Sequence, residues 1–219
     1  HNLGFNFAKA FGLEFTNKDG ETAFCAQTSW GLSTRTIGGI IMAHGDDIGL
    51  IIPPRVAPIQ IVIVPIWPNE KEKNSINKVV SGLETELRDN FRVKSDFEDS
   101  RPGEKFFRWE RKGVPIRVEI GPKDIQKNSA TVVRRDSGKK SQIHFKDLKR
   151  QLKKMLDDVQ MNLYNSSLIR LKKNTVEVDS WDDFVRNIEQ KKFVLAHWCG
   201  KAEVENKISA CVEKLVNEF

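Results

Sequence analysis

The hydrophobic pattern is clearest in the middle of the chain. Ile59-Gln60-Ile61-Val62-Ile63-Val64-Pro65 is an almost unbroken apolar run. A parallel strand covered on both faces requires such a run. Ile76, Val79, Val80, Leu83 and Leu87 then recur at helical spacing. Phe91 to Phe97 predicts a short strand, and Glu104 to Lys112 a helix carrying Phe106, Phe107 and Trp109. Val114, Ile116, Val118 and Ile120 alternate with Pro115, Arg117 and Glu119, so one face of that strand is apolar and the other polar. Gly121-Pro122 turns into a short helical piece at Lys123 to Ile125. Ala130 to Arg135 and Lys140 to Phe145 predict a β pair around Asp136-Ser137-Gly138. A long helix runs from about Phe145 to Tyr164, with Leu148, Leu152, Met155, Leu156 and Val159 inward. Strands alternating with helices imply an α/β sandwich with a mixed, mainly parallel sheet.

The flanks read differently. In the first 57 residues the elements are short and Gly-rich. Asn6 to Phe11 predicts helix or turn. Glu14-Phe15 and Thr22 to Ser29 predict strands around Asn17-Lys18-Asp19-Gly20, whose Asp-Gly end is a hairpin signal. Such a block cannot bury a full core and reads as one edge of a larger antiparallel sheet. Pro53, Pro54 and Pro58 stiffen the chain and close it. At the other end, Ser180 begins a helix to about Glu189, with Asp183 in place of the usual capping Glu. Lys192 to His197 predicts a strand. Val204, Ile208, Cys211, Val212, Leu215 and Val216 form one stripe on a final helix. The expected domains are therefore 1–57, 58–165 and 166–219.

Composition adds limits. The 219 residues are 39% hydrophobic, enough for a core, and 30% charged, with a net charge of +6. That balance is compatible with a polyanionic partner without requiring one. Cys25, Cys199 and Cys211 are odd in number and include no C-x-x-C pair, which argues against a disulfide framework and for a reducing cytoplasm. No apolar run reaches 18 residues, so no membrane span is expected. The start at His1, without Met, reads as part of a longer protein.

The densest chemistry lies between Ala26 and Asp47. Ser33 can cap a helix bearing Ile37, Ile40 and Ile41, which places Arg35 in its first turn. Free N–H groups and the positive dipole end favour an anion there, and a guanidinium can fork onto phosphate or stack on a base. Two readings stay open on spacing alone: a nucleotide-phosphate site, or a capped surface helix with an exposed Arg. His44-Gly45-Asp46-Asp47 suits a helix C-terminus better than a cation site. Farther on, nine Lys/Arg face two acids between Arg134 and Lys154, a basic stretch that can neutralise phosphates or simply be solvated. Phe106, Glu110, Arg117, Lys123, Asp124 and Lys139 mix an aromatic with forked donors and acceptors, as reading of unstacked RNA bases requires.

These stretches also resemble a known family. TSWGLSTRTIGGIIMAHGDDIGLIIPPRVAPIQIVIVPI is similar to motif 3 of a class II aminoacyl-tRNA synthetase of the prolyl-tRNA synthetase type, running on into its anticodon-binding domain. HNLGFNFAKAF, FFRWERKGVPIRVEIGPKDI and VVRRD resemble further parts of that family, in its archaeal/eukaryotic-like branch. The match runs from His1 to about Leu163 and weakens after Leu168. SWGLSTR and GPKDI favour the prolyl type over the histidyl, threonyl and glycyl types. The resemblance implies a proline–tRNA ligase that uses ATP, with Mg²⁺, to activate L-proline and then charges tRNA(Pro), in the cytoplasm and as a homodimer. It implies proline-pocket roles for His1, Trp30 and Gly31, with Asn2 replacing a second His common in the family. ATP contacts fall to Ser33 and Arg35, with Arg35 as the catalytic arginine, and anticodon contacts to Phe106, Glu110, Arg117, Lys123, Asp124 and Lys139. Cys199 matches the first ligand of a zinc site found in many relatives. Val204 stands where the next cysteine is expected and no later pair follows up to Phe219, so either zinc binding is lost, the expectation here, or its ligands lie beyond this chain. Motifs 1 and 2 are not in this sequence, so these residues alone are expected to be inactive. The alternative is a non-catalytic tRNA- or protein-binding module derived from such a synthetase.

Overall fold

The structure is a computed structural model that describes residues 1–217, with side chains described to 213. It contains two compact units, His1–Met42 and Ala43–Phe219.

In the first unit, β1 (Asn2–Gly4) pairs antiparallel with β4 (Gln27–Thr28), and β2 (Glu14–Thr16) pairs antiparallel with β3 (Thr22–Phe24). Helix α1 is Asn6–Phe11. The hairpin expected at Asn17 to Gly20 is present. The Asn17 Oδ1 accepts from the N–H of Asp19 and of Glu21, both at 2.9 Å, and Gly20 takes the left-handed φ of 80° that the turn needs. Helix α2 (Arg35–His44) forms as its isoleucine spacing predicts. Ser33 joins it through its backbone carbonyl, 3.1 Å from the N–H of Thr36, and not through its hydroxyl, which has no hydrogen bond among the described residues. The helix starts one residue later than a Ser33 cap would place it.

The second unit is built on a five-stranded sheet. Its strands are β5 (Ile61–Pro65), β6 (Val93–Ser95), β7 (Ile116–Ile120), β8 (Ser129–Arg134) and β9 (Lys140–His144), in the order β6-β5-β7-β8-β9. β6 and β7 both run parallel to β5, and the β7–β8 and β8–β9 pairs are antiparallel. Four of the five strands therefore point the same way, and the sheet is mixed. Ile61, Ile63, Ile116, Val118, Ile120 and Val132 face one core cluster. Helices α3 (Glu70–Arg88) and α6 (Phe145–Lys173) cover it with Ile76, Val80, Leu83, Leu148 and Leu152. The opposite face carries Val62 and Val64, and α4 (Pro102–Arg111) covers these with Trp109. β5 is apolar throughout because both of its faces are covered. On β7, Arg117 and Glu119 point to the α4 side, as the alternation requires.

Asp96, just past β6, is the polar node of the α4 side and is 5% exposed. Its carboxylate accepts from the Trp109 Nε1 and the Arg108 Nη2, each at 2.6 Å, and from the Glu98 backbone N–H at 3.2 Å. Burial pushes its pKa up, but the bonds from Trp109 and Arg108 outweigh that and hold it below the ordinary value.

Residues 46–52 are laid against the end of α4. The Leu50 N–H donates to the Arg111 carbonyl at 3.0 Å, and the Ile52 N–H to the Gly113 carbonyl at 3.1 Å. Gly113, at φ 70°, leaves no room for a Cβ, which would lie 2.7 Å from Leu50. Arg92 latches the proline-rich stretch, donating to the carbonyls of Ala57 at 2.7 Å and Pro54 at 2.8 Å.

Helix α6 is longer than expected and runs straight across position 165. Nothing between Phe145 and Lys173 is Gly or Pro, so the helix continues past its last buried turn at Leu163. Beyond it, β10 (Thr175–Val178) and β11 (Phe193–Ala196) form a parallel pair, with α7 (Trp181–Glu189) between them and α8 (Ala202–Asn217) after. The Ser180 Oγ caps α7 by accepting from the Asp183 N–H at 3.1 Å. β10 has no counterpart among the predicted strands. On α8, Ile208, Cys211 and Val212 are half-buried while Val204 is exposed; Leu215 and Val216 lie outside the described side chains. Among the described residues, no helix is long and apolar enough to cross a membrane.

Candidate nucleic-acid interface

The site is assembled on the α4 side of the sheet. Phe106 and Glu110 are four residues apart and share one face of α4. Arg117 rises from β7 beneath them. Its Nη1 donates to the Glu110 Oε1 at 2.7 Å and its Nε to the Glu119 Oε1 at 2.9 Å. Its guanidinium carbon sits 4.2 Å from the centre of the Phe106 ring, a cation–π contact. Arg117 is 7% exposed and Glu119 8%. A cavity of about 570 Å³ opens beside them and is also lined by Arg134, Arg135, Gly138 and Lys140.

Strand register extends this surface beyond α4. Arg117 lies opposite Val133, which lies opposite Lys140; Glu119 lies opposite Thr131, which lies opposite Gln142. Two parallel rows therefore cross β7, β8 and β9 on one face, about 10 Å wide at ~4.8 Å per strand spacing. Asp124, on α5 (Pro122–Gln126), closes the end of the second row. It accepts from the Thr131 hydroxyl at 3.3 Å and the Gln142 amide at 3.5 Å, and it caps its own helix through the Gly121 N–H at 3.0 Å. Lys123 is exposed beside it. Lys139 is exposed on the β8–β9 turn, between the cavity-lining Gly138 and Lys140. That turn is fixed from below: the Arg134 Nε and Nη2 fork onto Asp136 at 3.0 and 2.7 Å, and the Asn162 amide of α6 donates to the same carboxylate at 2.8 Å.

The six base-reading candidates are thus spread along β7 and its neighbours, with Lys139 at the Ile116 end and Lys123 and Asp124 at the Ile120 end. Phe106, Glu110 and Arg117 are in direct contact, while Asp124, Lys123 and Lys139 rim the same face. Sequence reasoning took Arg134 and Lys140 only as members of the basic stretch, and it missed Glu119 and Gln142. Of these two, Glu119 left a signal, through its place two residues after Arg117 on the polar face of β7.

Asp46 is a fold anchor. The Arg135 Nη1 and Nη2 fork onto it at 2.8 and 2.5 Å, and the Arg135 Nε donates to the Glu110 carbonyl at 3.0 Å. The same carboxylate accepts from the N–H groups of Ile48 and Gly49. The Arg135 hydrogen bond is the largest cause that holds the Asp46 pKa at about 2. His44 ends α2, as its helix C-terminus reading requires, and burial followed by the charge of Arg170 lowers its pKa.

Asp46, Asp96 and Asp136 all have lowered folded-state values. The sign follows directly: their pairing contributes fully above the unfolded aspartate value of about 3.9 and is lost as pH falls below it. We expect the urea midpoint of the chain to drop between about pH 5 and pH 2, with Asp46→Asn removing part of that drop.

In the first unit, the Ser29 N–H donates to the His1 carbonyl at 2.8 Å, so strand pairing brings His1 beside the Trp30-Gly31 step. Trp30 is 93% exposed, which excludes a core role within this unit. Ser33 and Arg35 are exposed at the start of α2, and the Ile37 and Ile41 side chains of that helix are exposed too.

Comparison with known proteins bears on this surface. Residues 60–155 match the family described as "Anticodon binding domain". The chain carries the anticodon-binding domain of a class II tRNA synthetase. The matched residues run from the edge of β5 into α6 and contain all six base-reading candidates. Over 96% of its length the chain is 42% identical to a proline–tRNA ligase of Porphyromonas gingivalis. It is 45% identical over 95% of its length to one from Natranaerobius thermophilus, and 42% over 95% to one from Phocaeicola vulgatus. The chain spans 42–43% of the length of these relatives.

Proposed function

We propose that the chain is part of a proline–tRNA ligase, which activates L-proline with ATP to prolyl-adenylate and transfers it to tRNA(Pro). The observation that carries this is the Phe106–Arg117–Glu110 contact, set on an anticodon-binding domain. A cation stacked on a ring and hydrogen-bonded to a carboxylate offers donor and acceptor edges to an unstacked base, and guanine has both kinds of edge. The names of the relatives favour the ligase over a non-catalytic module.

Phe106, Glu110, Arg117, Lys123, Asp124 and Lys139 are assigned to the two guanines of the proline anticodon. His1, Trp30 and Gly31 are assigned to the proline pocket, where an exposed indole beside a side-chain-free glycine offers a slot for a small apolar ring. Ser33 and Arg35 are assigned to ATP, with Mg²⁺ travelling on its phosphates. Arg35 supplies permanent positive charge where charge develops in phosphoryl chemistry. The assigned boundaries are 1–57 for the catalytic part, 58–165 for the anticodon-binding domain and 166–219 for the C-terminal domain, with residues 43–57 packed in the second compact unit and α6 continuous across 165. The assignment extends to a homodimer in the cytoplasm. Zinc is left out: Cys199 is exposed and Cys211 sits on α8, whereas tetrahedral zinc asks for four ligands.

The test has two arms. The 219 residues alone should bind an anticodon stem-loop of tRNA(Pro) more tightly than one with both guanines changed to adenine, and should show no proline-dependent ATP–pyrophosphate exchange. Exchange should appear with a protein extended to the length of the relatives. Equal binding of the two RNAs overturns the anticodon assignment, and exchange by the 219 residues overturns the division of the active site.

A further inference from the structure

Arg117 is restrained on three sides. Phe106 lies against its face at 4.2 Å, Glu110 takes its Nη1 and Glu119 takes its Nε. Its remaining guanidinium nitrogen, Nη2, has no hydrogen bond among the described residues. It is not among the fully buried polar atoms left without a partner, so it keeps some exposure, and Arg117 is one of the residues that line the cavity. Glu119 is buried to nearly the same degree as Arg117 and comes from the same strand, two residues on. A carboxylate is not placed in such a position by chance of surface composition: burying a charge costs free energy unless it is paired.

We infer that Glu119 is the positioning residue that aims Arg117 at a base edge and keeps it from serving as a phosphate clamp. This rests on the anticodon reading above. Two effects act together. A free arginine side chain loses rotamer entropy when it is fixed, and a partner that fixes it beforehand moves that cost from binding to folding. In addition, a guanidinium shared between two carboxylates has its charge already matched, so it draws phosphate less than a free arginine would. The carboxylates beside it suit a base that donates N–H groups, as guanine does through N1 and N2. Phosphate contacts carry no sequence information, so an Arg117 released from Glu119 would trade discrimination for general affinity.

The experiment uses the 219-residue chain, with Glu119→Ala and Glu119→Gln as variants. The probes are anticodon stem-loops carrying guanine or adenine at the two central reading positions, and binding is followed by fluorescence anisotropy over a salt series. In Glu119→Ala the preference for guanine should fall about tenfold, the size of one good base contact. Affinity for the adenine RNA should hold or rise, and the slope of log affinity against log salt should steepen by about 0.7, one extra single-strand phosphate. Glu119→Gln keeps an acceptor for Nε and should keep most of the preference. An equal loss for both RNAs would mean a merely structural residue and overturn the inference, as would an unchanged preference in Glu119→Ala. A wild-type chain with no guanine preference would instead overturn the anticodon reading itself, a distinguishable result.

Discussion

Replacing Asp96 with alanine is expected to destabilise the second unit by about 3 kcal/mol, the low end for breaking a buried ion pair. Asp96 serves the Trp109 indole N–H and the Arg108 guanidinium at once, each at 2.6 Å. Trp109 is buried against Val62, Val64 and Val114, so its N–H would have no replacement partner inside the core. Arg108 is partly open to water, where it also pairs with Glu98, so its share of the loss is the smaller one. Asp96→Asn retains an acceptor for Trp109 and should lose less than half as much. Urea unfolding followed by tryptophan fluorescence measures both variants. Equal midpoints for Asp96→Ala and the parent chain would remove Asp96 as the node of the α4 side.

The second large effect is on RNA. Arg117→Ala should weaken binding of the guanine-bearing stem-loop by about 10-fold or more, from the roughly 1–3 kcal/mol of a good base contact. Binding of the adenine-bearing RNA should change little. Arg117→Lys keeps the charge but not the planar fork, so it should recover salt-dependent affinity without recovering guanine preference. Removing Arg117 also leaves Glu110 and Glu119 unpaired, and Glu119 is almost fully buried. A melting curve for each variant separates that destabilisation from lost recognition. Full guanine preference in Arg117→Ala would show that the base is read elsewhere on the face.

Much of the scaffold was legible because it depends on neighbours in the sequence. The unbroken run at Ile61 to Val64 marked a strand covered on both sides. The alternation at Ile116 to Ile120 put Arg117 and Glu119 on one face, and the Asn17 to Gly20 turn followed from its own side-chain bonds. The strand at β10 was not legible. Its four residues follow directly on α6, and it exists only because β11 pairs with it. The extra length of α6 was missed for a related reason: the apolar stripe fades after Leu163, but nothing in the next ten residues breaks a helix.

The sequence by itself determined most elements of this protein, β10 and the end of α6 apart, and the two polar side chains that β7 turns toward α4. Periodicities of 2 and 3.6 residues are local, and they specify which face of a strand or helix is wet. Tertiary structure decided which of those polar groups meet. Arg117 finds Glu110 and Phe106 only because α4 crosses that face of the sheet, and Asp124 joins the same surface only because β7, β8 and β9 pair in one register. Arg135 meets Asp46 across 89 positions of chain, a contact that no spacing rule encodes. Such contacts depend on how elements pack, and packing is set by the whole buried surface and not by any one stretch.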